Sequence, residues 1–165
     1  MLRWHVMKKI NGFTLVELLV TMAVLAIIVT MAIPAFGDMI AKQNLKKSAQ
    51  ELIVIMNKAR AKAVLERRVV TVNLTPLANI NDTENVLNWR PSGNSILMTG
   101  SNSSILFGIT GGVFVSGSGT PASFVPATVD TTFTICSASS GTNKKSKTIT
   151  VTRMGTIQMT TEGTC

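Results

Sequence analysis

Three hydrophobic patterns follow one another along this chain. From Leu18 to Gly37 the stretch LLVTMAVLAIIVTMAIPAFG holds no charged residue. Its length matches the ~20 residues a helix needs to cross a bilayer core. From Asp38 to about Val70 the apolar positions become periodic, at Leu45, Ala49, Leu52, Met56, Ala59 and Ala63. On a helix these six fall within about 40° of one line, a stripe that predicts an amphipathic helix packed on another layer. Beyond Arg68, segments rich in Val, Ile, Thr and Phe alternate with Gly, Asn and Ser, which predicts strands at 69–74, 86–90, 95–100, 104–109, 112–117, 132–136 and 147–155. In the last of these, Ile149, Val151 and Arg153 fall on one side and Thr148, Thr150 and Thr152 on the other. SGTNKKSK (140–147) reads as the tip of a hairpin joining the last two strands, and the stretch 76–85 as a loop. Trp89 is expected in the core or the sheet, with a binding platform as the lesser reading. A long helix followed by antiparallel strands is an α+β architecture: the sheet covers the helix stripe and the helix covers the sheet.

Two residues interrupt the apolar run. Pro34 removes a backbone hydrogen bond and crowds the preceding turn, which predicts a kink, and Gly37 adds local softness. Glu17, just ahead of the uncharged run, is a carboxylate beside a segment built for lipid. Lys8 and Lys9 precede the run, which favours a cytoplasmic N-terminus and an exported C-terminal domain.

The composition narrows the functions. The chain has 165 residues, a net charge of +8, one His, no Tyr and two Cys. With His5 in a removed leader, acid–base work would fall to a few carboxylates and lysines. The reading is therefore not an enzyme, with no cofactor and no metal, since no Cys/His cluster exists for zinc. Charge concentrates on the amphipathic helix. Residues 38–70 carry Lys42, Lys46, Lys47, Lys58, Arg60, Lys62, Arg67 and Arg68 against Asp38, Glu51 and Glu66, a net of +5. Spread over the wheel, these basic residues read as a solvated face that also meets lipid headgroups, with a polyanion-binding surface as the alternative.

The segment KKINGFTLVELLV resembles the class III leader and N-terminus of type IV pilins and type II secretion pseudopilins: a short basic leader, Gly, Phe, three residues, Glu, then an apolar helix. The resemblance implies that a prepilin peptidase cuts between Gly12 and Phe13 and methylates the new N-terminus at Phe13. It makes Glu17 the buried glutamate of the filament and Pro34 the proline of its melted stretch. Met7 would begin the six-residue leader MKKING, so Met1–Val6 is expected to lie upstream of the true start. The order of a helix and then a Gly/Ser-rich β domain resembles the GspH/FimT family of minor pilins and pseudopilins. The implied organisation is a leader at 1–12, a transmembrane and filament-core helix at 13–37, an amphipathic helix at 38–70 and a β-rich periplasmic domain at 71–165. The implied partners are other pilins or pseudopilins, prepilin peptidase and the inner membrane. The implied location is a single pass through that membrane and then the pilus or pseudopilus.

Two further expectations concern the β domain. Cys136 and Cys165, in an exported domain, are most simply a disulfide, with free thiols as the alternative. Some proteins of the FimT type bind DNA through Gly-Arg-x-Arg near the C-terminus. Here the equivalent is Gly155-Thr156-Ile157-Gln158, with both arginines absent. The remaining basic candidates are Lys144, Lys145, Lys147 and Arg153, without interleaved aromatics for base stacking. Such a set supports only weak, salt-sensitive, sequence-independent phosphate contacts. The leading function is thus a minor pilin or pseudopilin that helps to start assembly at or near a filament tip. DNA uptake in natural transformation is the alternative.

Overall fold

A computed structural model describes residues 12–74, 81–98, 101–116, 124–137 and 144–165, with side chains described at all of these except 31–35, 116 and 159–161. Residues 1–11, with Met1, Met7 and the leader lysines, lie outside the described residues. One helix, α1, runs Leu15–Glu66, and the chain divides into two compact units, Met1–Gly37 and Asp38–Cys165.

In the second unit the predicted stripe is the buried side of α1. Leu45, Ala49, Leu52, Met56, Ala59 and Ala63 are all buried, and all but Leu45 are wholly so. The helix was expected to reach about Val70 but ends at Glu66. Arg67 turns into the left-handed region (φ 50°), and the Arg68 amide bonds back to the Ala63 carbonyl at 3.2 Å. That six-residue closure is a Schellman-type stop, normally made by glycine.

The strands are β1 (Val70–Asn73), β2 (Val86–Asn88), β3 (Ile96–Leu97), β4 (Ser104–Phe107), β5 (Val113–Ser116), β6 (Phe124–Pro126), β7 (Thr131–Cys136), β8 (Lys145–Val151) and β9 (Ile157–Thr164). They form two sheets, of order β2-β1-β4-β5-β6 and β3-β7-β8-β9. Pairing is antiparallel except between β1 and β2, which run parallel with Thr71 opposite Val86. Seven strands fall where the pattern predicts them. β6 and β9 do not, and β9, not the 147–155 segment, is the last strand. The predicted hairpin tip at 140–147 is in part strand, because β8 already starts at Lys145; 138–143 lie outside the described residues.

A bulge between Lys147 and Thr148 shifts the β8 register against β9. The extra residue is on β9, because Lys147 pairs with Glu162 and Thr148 with Thr160, while β8 pairs with β7 without a break. Both sheets and α1 share one core: Val70, Val72, Leu87, Trp89, Ile105, Phe107, Val113, Phe133, Ile135, Ile149 and Val151 close over the helix stripe. Each large side chain buried there contributes about 1.5–3 kcal/mol relative to exposure. Trp89, 2% exposed, is a core residue and offers no platform.

Two hairpin turns of the same construction meet at one corner. In the β4–β5 turn the Gly111 amide bonds the Gly108 carbonyl (2.8 Å) and Gly111 has φ 79°. In the β8–β9 turn the Gly155 amide bonds the Thr152 carbonyl (2.8 Å) and Gly155 has φ 78°. Each is a tight turn followed by a left-handed glycine, the three-residue hairpin with a bulge. The Val113 amide bonds the Arg153 carbonyl at 2.9 Å, so the corner stitches one sheet to the other.

Candidate functional site

Gly12, Phe13 and Thr14 lie outside the helix, which opens at Leu15. The start is set by Thr14. Its Oγ1 accepts a hydrogen bond from the Glu17 amide (3.2 Å), and its carbonyl accepts one from the Leu18 amide (3.2 Å). Thr14 is thus the N-cap, satisfying one of the four amides that a helix start leaves without partners. Nothing in the apolar pattern points to this residue; the signal that does is the Thr-x-x-Glu spacing from Thr14 to Glu17. Glu17 stands exposed in the first turn, where the helix dipole favours a carboxylate.

Behind it, every residue from Phe13 to Thr30 is exposed, including Leu15 (79%), Leu19 (63%) and Ile27 (61%). Within the helical part of this stretch, Thr21 donates its hydroxyl to the Leu18 carbonyl and Thr30 to the Ile27 carbonyl, each at 2.8 Å. An apolar environment therefore meets no unpaired hydroxyl at either threonine. Pro34 and Gly37 both fall within α1. Among the described residues no helix is long and apolar enough to cross a membrane; the side chains of 31–35 lie outside that description.

The basic candidates do not assemble. Lys144 and Lys145 stand exposed at the start of β8, while Arg153 lies in the turn beyond its other end. Seven strand residues separate the two groups by roughly 20 Å. Lys147, half-buried, is paired with Glu162 (Nζ–Oε1 3.1 Å). The Gly-Thr-Ile-Gln segment shows the same departure. Gly155 is the left-handed glycine of the turn, and Thr156 and Gln158 stand exposed where the DNA-binding pattern has arginines.

The residue that dominates this corner is Arg60, on α1. Its Nε donates to the Gly111 carbonyl and its Nη2 to the Met154 carbonyl, both at 3.1 Å, so one guanidinium ties both turns to the helix. In the sequence Arg60 is one of eight basic residues on a solvated-looking helix, and no local signal separates it from the rest. A second arginine holds the helix end. Arg68 donates to Glu66 and, at 2.9 Å, to Glu84. The Arg68 hydrogen bond, aided by its charge and that of Lys62, holds the Glu84 carboxyl below the usual carboxylate range.

Cys136, at the end of β7, and Cys165, the last residue, form a disulfide. The Cys165 amide also donates to the Lys144 carbonyl at 2.8 Å. The far end of β9 is thereby fixed to both β7 and the start of β8. Among the described residues no group of His, Cys, Asp and Glu could hold a metal ion.

Residues 7–33 match the prokaryotic N-terminal methylation motif. Two fimbrial proteins of Pseudomonas aeruginosa are each 31% identical to the chain over 70 residues, 42% of this chain and 45% of each relative. The chain thus matches less than half the length of these curated relatives. Over these N-terminal residues the chain is therefore similar to type IV pilins. Among solved structures, two crystal forms of the type IV minor pilin FimU from P. aeruginosa PAO1 align with TM-scores of 0.47 and 0.46 at 18% and 16% identity. They cover 71% and 73% of this chain and 93% and 90% of FimU.

Proposed function

We propose that this pilin-like chain is a minor pilin or pseudopilin. Prepilin peptidase cuts it between Gly12 and Phe13 and methylates Phe13. The apolar segment 13–37 then holds it in the inner membrane, with the rest of α1 and the β domain in the periplasm. From there it enters a type IV pilus or a type II secretion pseudopilus at or near the tip, where it aids the start of assembly. The carrying observation is the apolar helical segment, exposed throughout its described side chains, with Glu17 in its first turn directly behind the Gly12–Phe13 bond of the methylation motif.

The physical logic runs through Glu17. A carboxylate taken into an apolar filament core is costly unless a cation meets it. Cleavage supplies that cation, the Phe13 amine, and among staggered helices the amine of one subunit can meet the Glu17 of another. Docking in register is then the arrangement that removes the cost. Glu17→Val is expected to insert and to be cut normally yet to be depleted at least about tenfold from sheared filaments, the population ratio that ~1.4 kcal/mol of lost pairing produces. Quantitative immunoblotting of filament and membrane fractions reads this out, and wild-type incorporation of the variant would remove the proposal.

DNA uptake, the alternative, draws no support from the geometry. Its candidate residues stand at opposite ends of β8, one of them is committed to Glu162, and the exposed positions of the motif are Thr156 and Gln158.

A further inference from the structure

We propose that Thr14 is a positioning residue for leader cleavage. As the N-cap of α1 it stops the helix short of the scissile amide and so keeps Gly12–Phe13 open to the peptidase. The inference rests on the reading that this bond is the one cut.

Hydrolysis consumes one water. Its oxygen bonds to the Gly12 carbonyl carbon, the C–N bond breaks, and the nitrogen leaves as the Phe13 amine with the proton it needs. The planar amide must become tetrahedral on the way, so a peptidase needs room on both of its faces. A helical turn denies that room. Its carbonyls are engaged by amides four residues on, and its side chains crowd the backbone. Once a helix exists, adding a residue to its end costs little. An apolar helix beginning at Leu15 would therefore extend back through Phe13 unless something stopped it.

Thr14 supplies the stop. Its hydroxyl holds the Glu17 amide, and the two residues before it remain non-helical. Phe13 is 79% exposed, and a Cβ built on Gly12 would meet nothing within 4 Å, so among the described residues nothing crowds the bond. Without the hydroxyl, the next residue upstream with strong cap chemistry is Asn11. A helix capped there would take Gly12 and Phe13 as its first two residues. The Gly12 carbonyl would then accept the Val16 amide in the helical ladder, locking the atom that the water must attack.

The test is pulse–chase processing of the full-length precursor in membranes containing prepilin peptidase. Thr14→Ala and the shape-matched Thr14→Val are expected to slow conversion about fivefold, equivalent to ~1 kcal/mol. Thr14→Ser and Thr14→Asn, which keep a cap, are expected to process at the wild-type rate. Adding Asn11→Ala to Thr14→Ala is expected to recover most of the rate, which simple recognition of the threonine by the enzyme would not produce. Wild-type kinetics for Thr14→Ala, or slow processing of both capping variants, would overturn the inference. N-terminal sequencing of the mature wild-type chain separates the two claims. A start other than Phe13 defeats the parent reading, whereas a Phe13 start with fast Thr14→Ala processing defeats only the cap.

Discussion

Arg67 and Gly155 both adopt left-handed backbone, and they do so at opposite cost. Arg67 carries a side chain into that region at φ 50°, and its side chain is exposed. A residue with a Cβ pays about 1–2 kcal/mol there, and glycine pays none. Arg67→Gly keeps the helix stop and is expected to raise stability by about 0.5–1 kcal/mol, after allowing for the freer unfolded chain. Gly155 is the reverse case. At φ 78° it lies so close to the Gly111 carbonyl oxygen that an added Cβ would overlap it, and the Arg60 Nε would stand only 3.0 Å away. The Gly111 backbone cannot yield without opening the corner that Arg60 closes. Gly155→Ala is expected to cost more than about 2 kcal/mol. Urea titrations of both variants check the pair: the midpoint should move up for Arg67→Gly and down for Gly155→Ala, with the slope unchanged.

At the scale of elements, much was legible and the failures share a cause. The stripe from Leu45 to Ala63 was readable because burial on a helix imposes a period, and all six residues are buried. The helix end was not readable, because the stop is an arginine where glycine is the usual sign. β9 was not readable because TIQMTTEGT has no apolar alternation; it is an edge strand held by backbone pairing to β8 and by the disulfide at its end. The parallel β1–β2 pair escapes a local reading altogether, since it depends on where the connecting residues return the chain. An ion pair also operates at this scale, joining the end of α1 to the segment before β2 through Arg68 and Glu84. Glu84 titrates lower in the folded than in the unfolded chain, so its contribution is present above the unfolded value and is lost as pH falls through the folded one. The difference in urea midpoint between wild type and Glu84→Gln is expected to stay constant from about pH 8 to 5.5 and to shrink toward zero below about pH 4. Glu84 is exposed, so the difference should also shrink in high salt.

For the whole molecule, the described core lies entirely in the second unit, between Leu45 and Val151, and the exposed apolar residues 13–30 lie in the first. This division explains why one part of the candidate site was legible and the other was not. The processing segment is a fixed spacing in consecutive residues. A basic surface depends on how strands are laid out, and β8 carries Lys145 and Arg153 to opposite ends. A chain beginning at Asp38 retains every described core residue, both sheets and the disulfide, so it is expected to fold alone and to unfold cooperatively. Its last strand, β9, pairs with a strand on one side only and is closed by Cys165. The bridge spans 29 residues, and on the chain-entropy account such a loop stabilises by about 3–4 kcal/mol, a large share of the 5–15 kcal/mol typical of a domain. Replacing both cysteines by serine in residues 38–165 is expected to lower the unfolding free energy by that amount. Hydrogen exchange should show the amides of β9 from 160 onward losing more protection than those of α1 and β1, which lose only the drop in global unfolding free energy. Equal loss across α1, β1 and β9 would show instead that β9 opens only with the whole fold and that the bridge has no separate effect on the edge strand it closes.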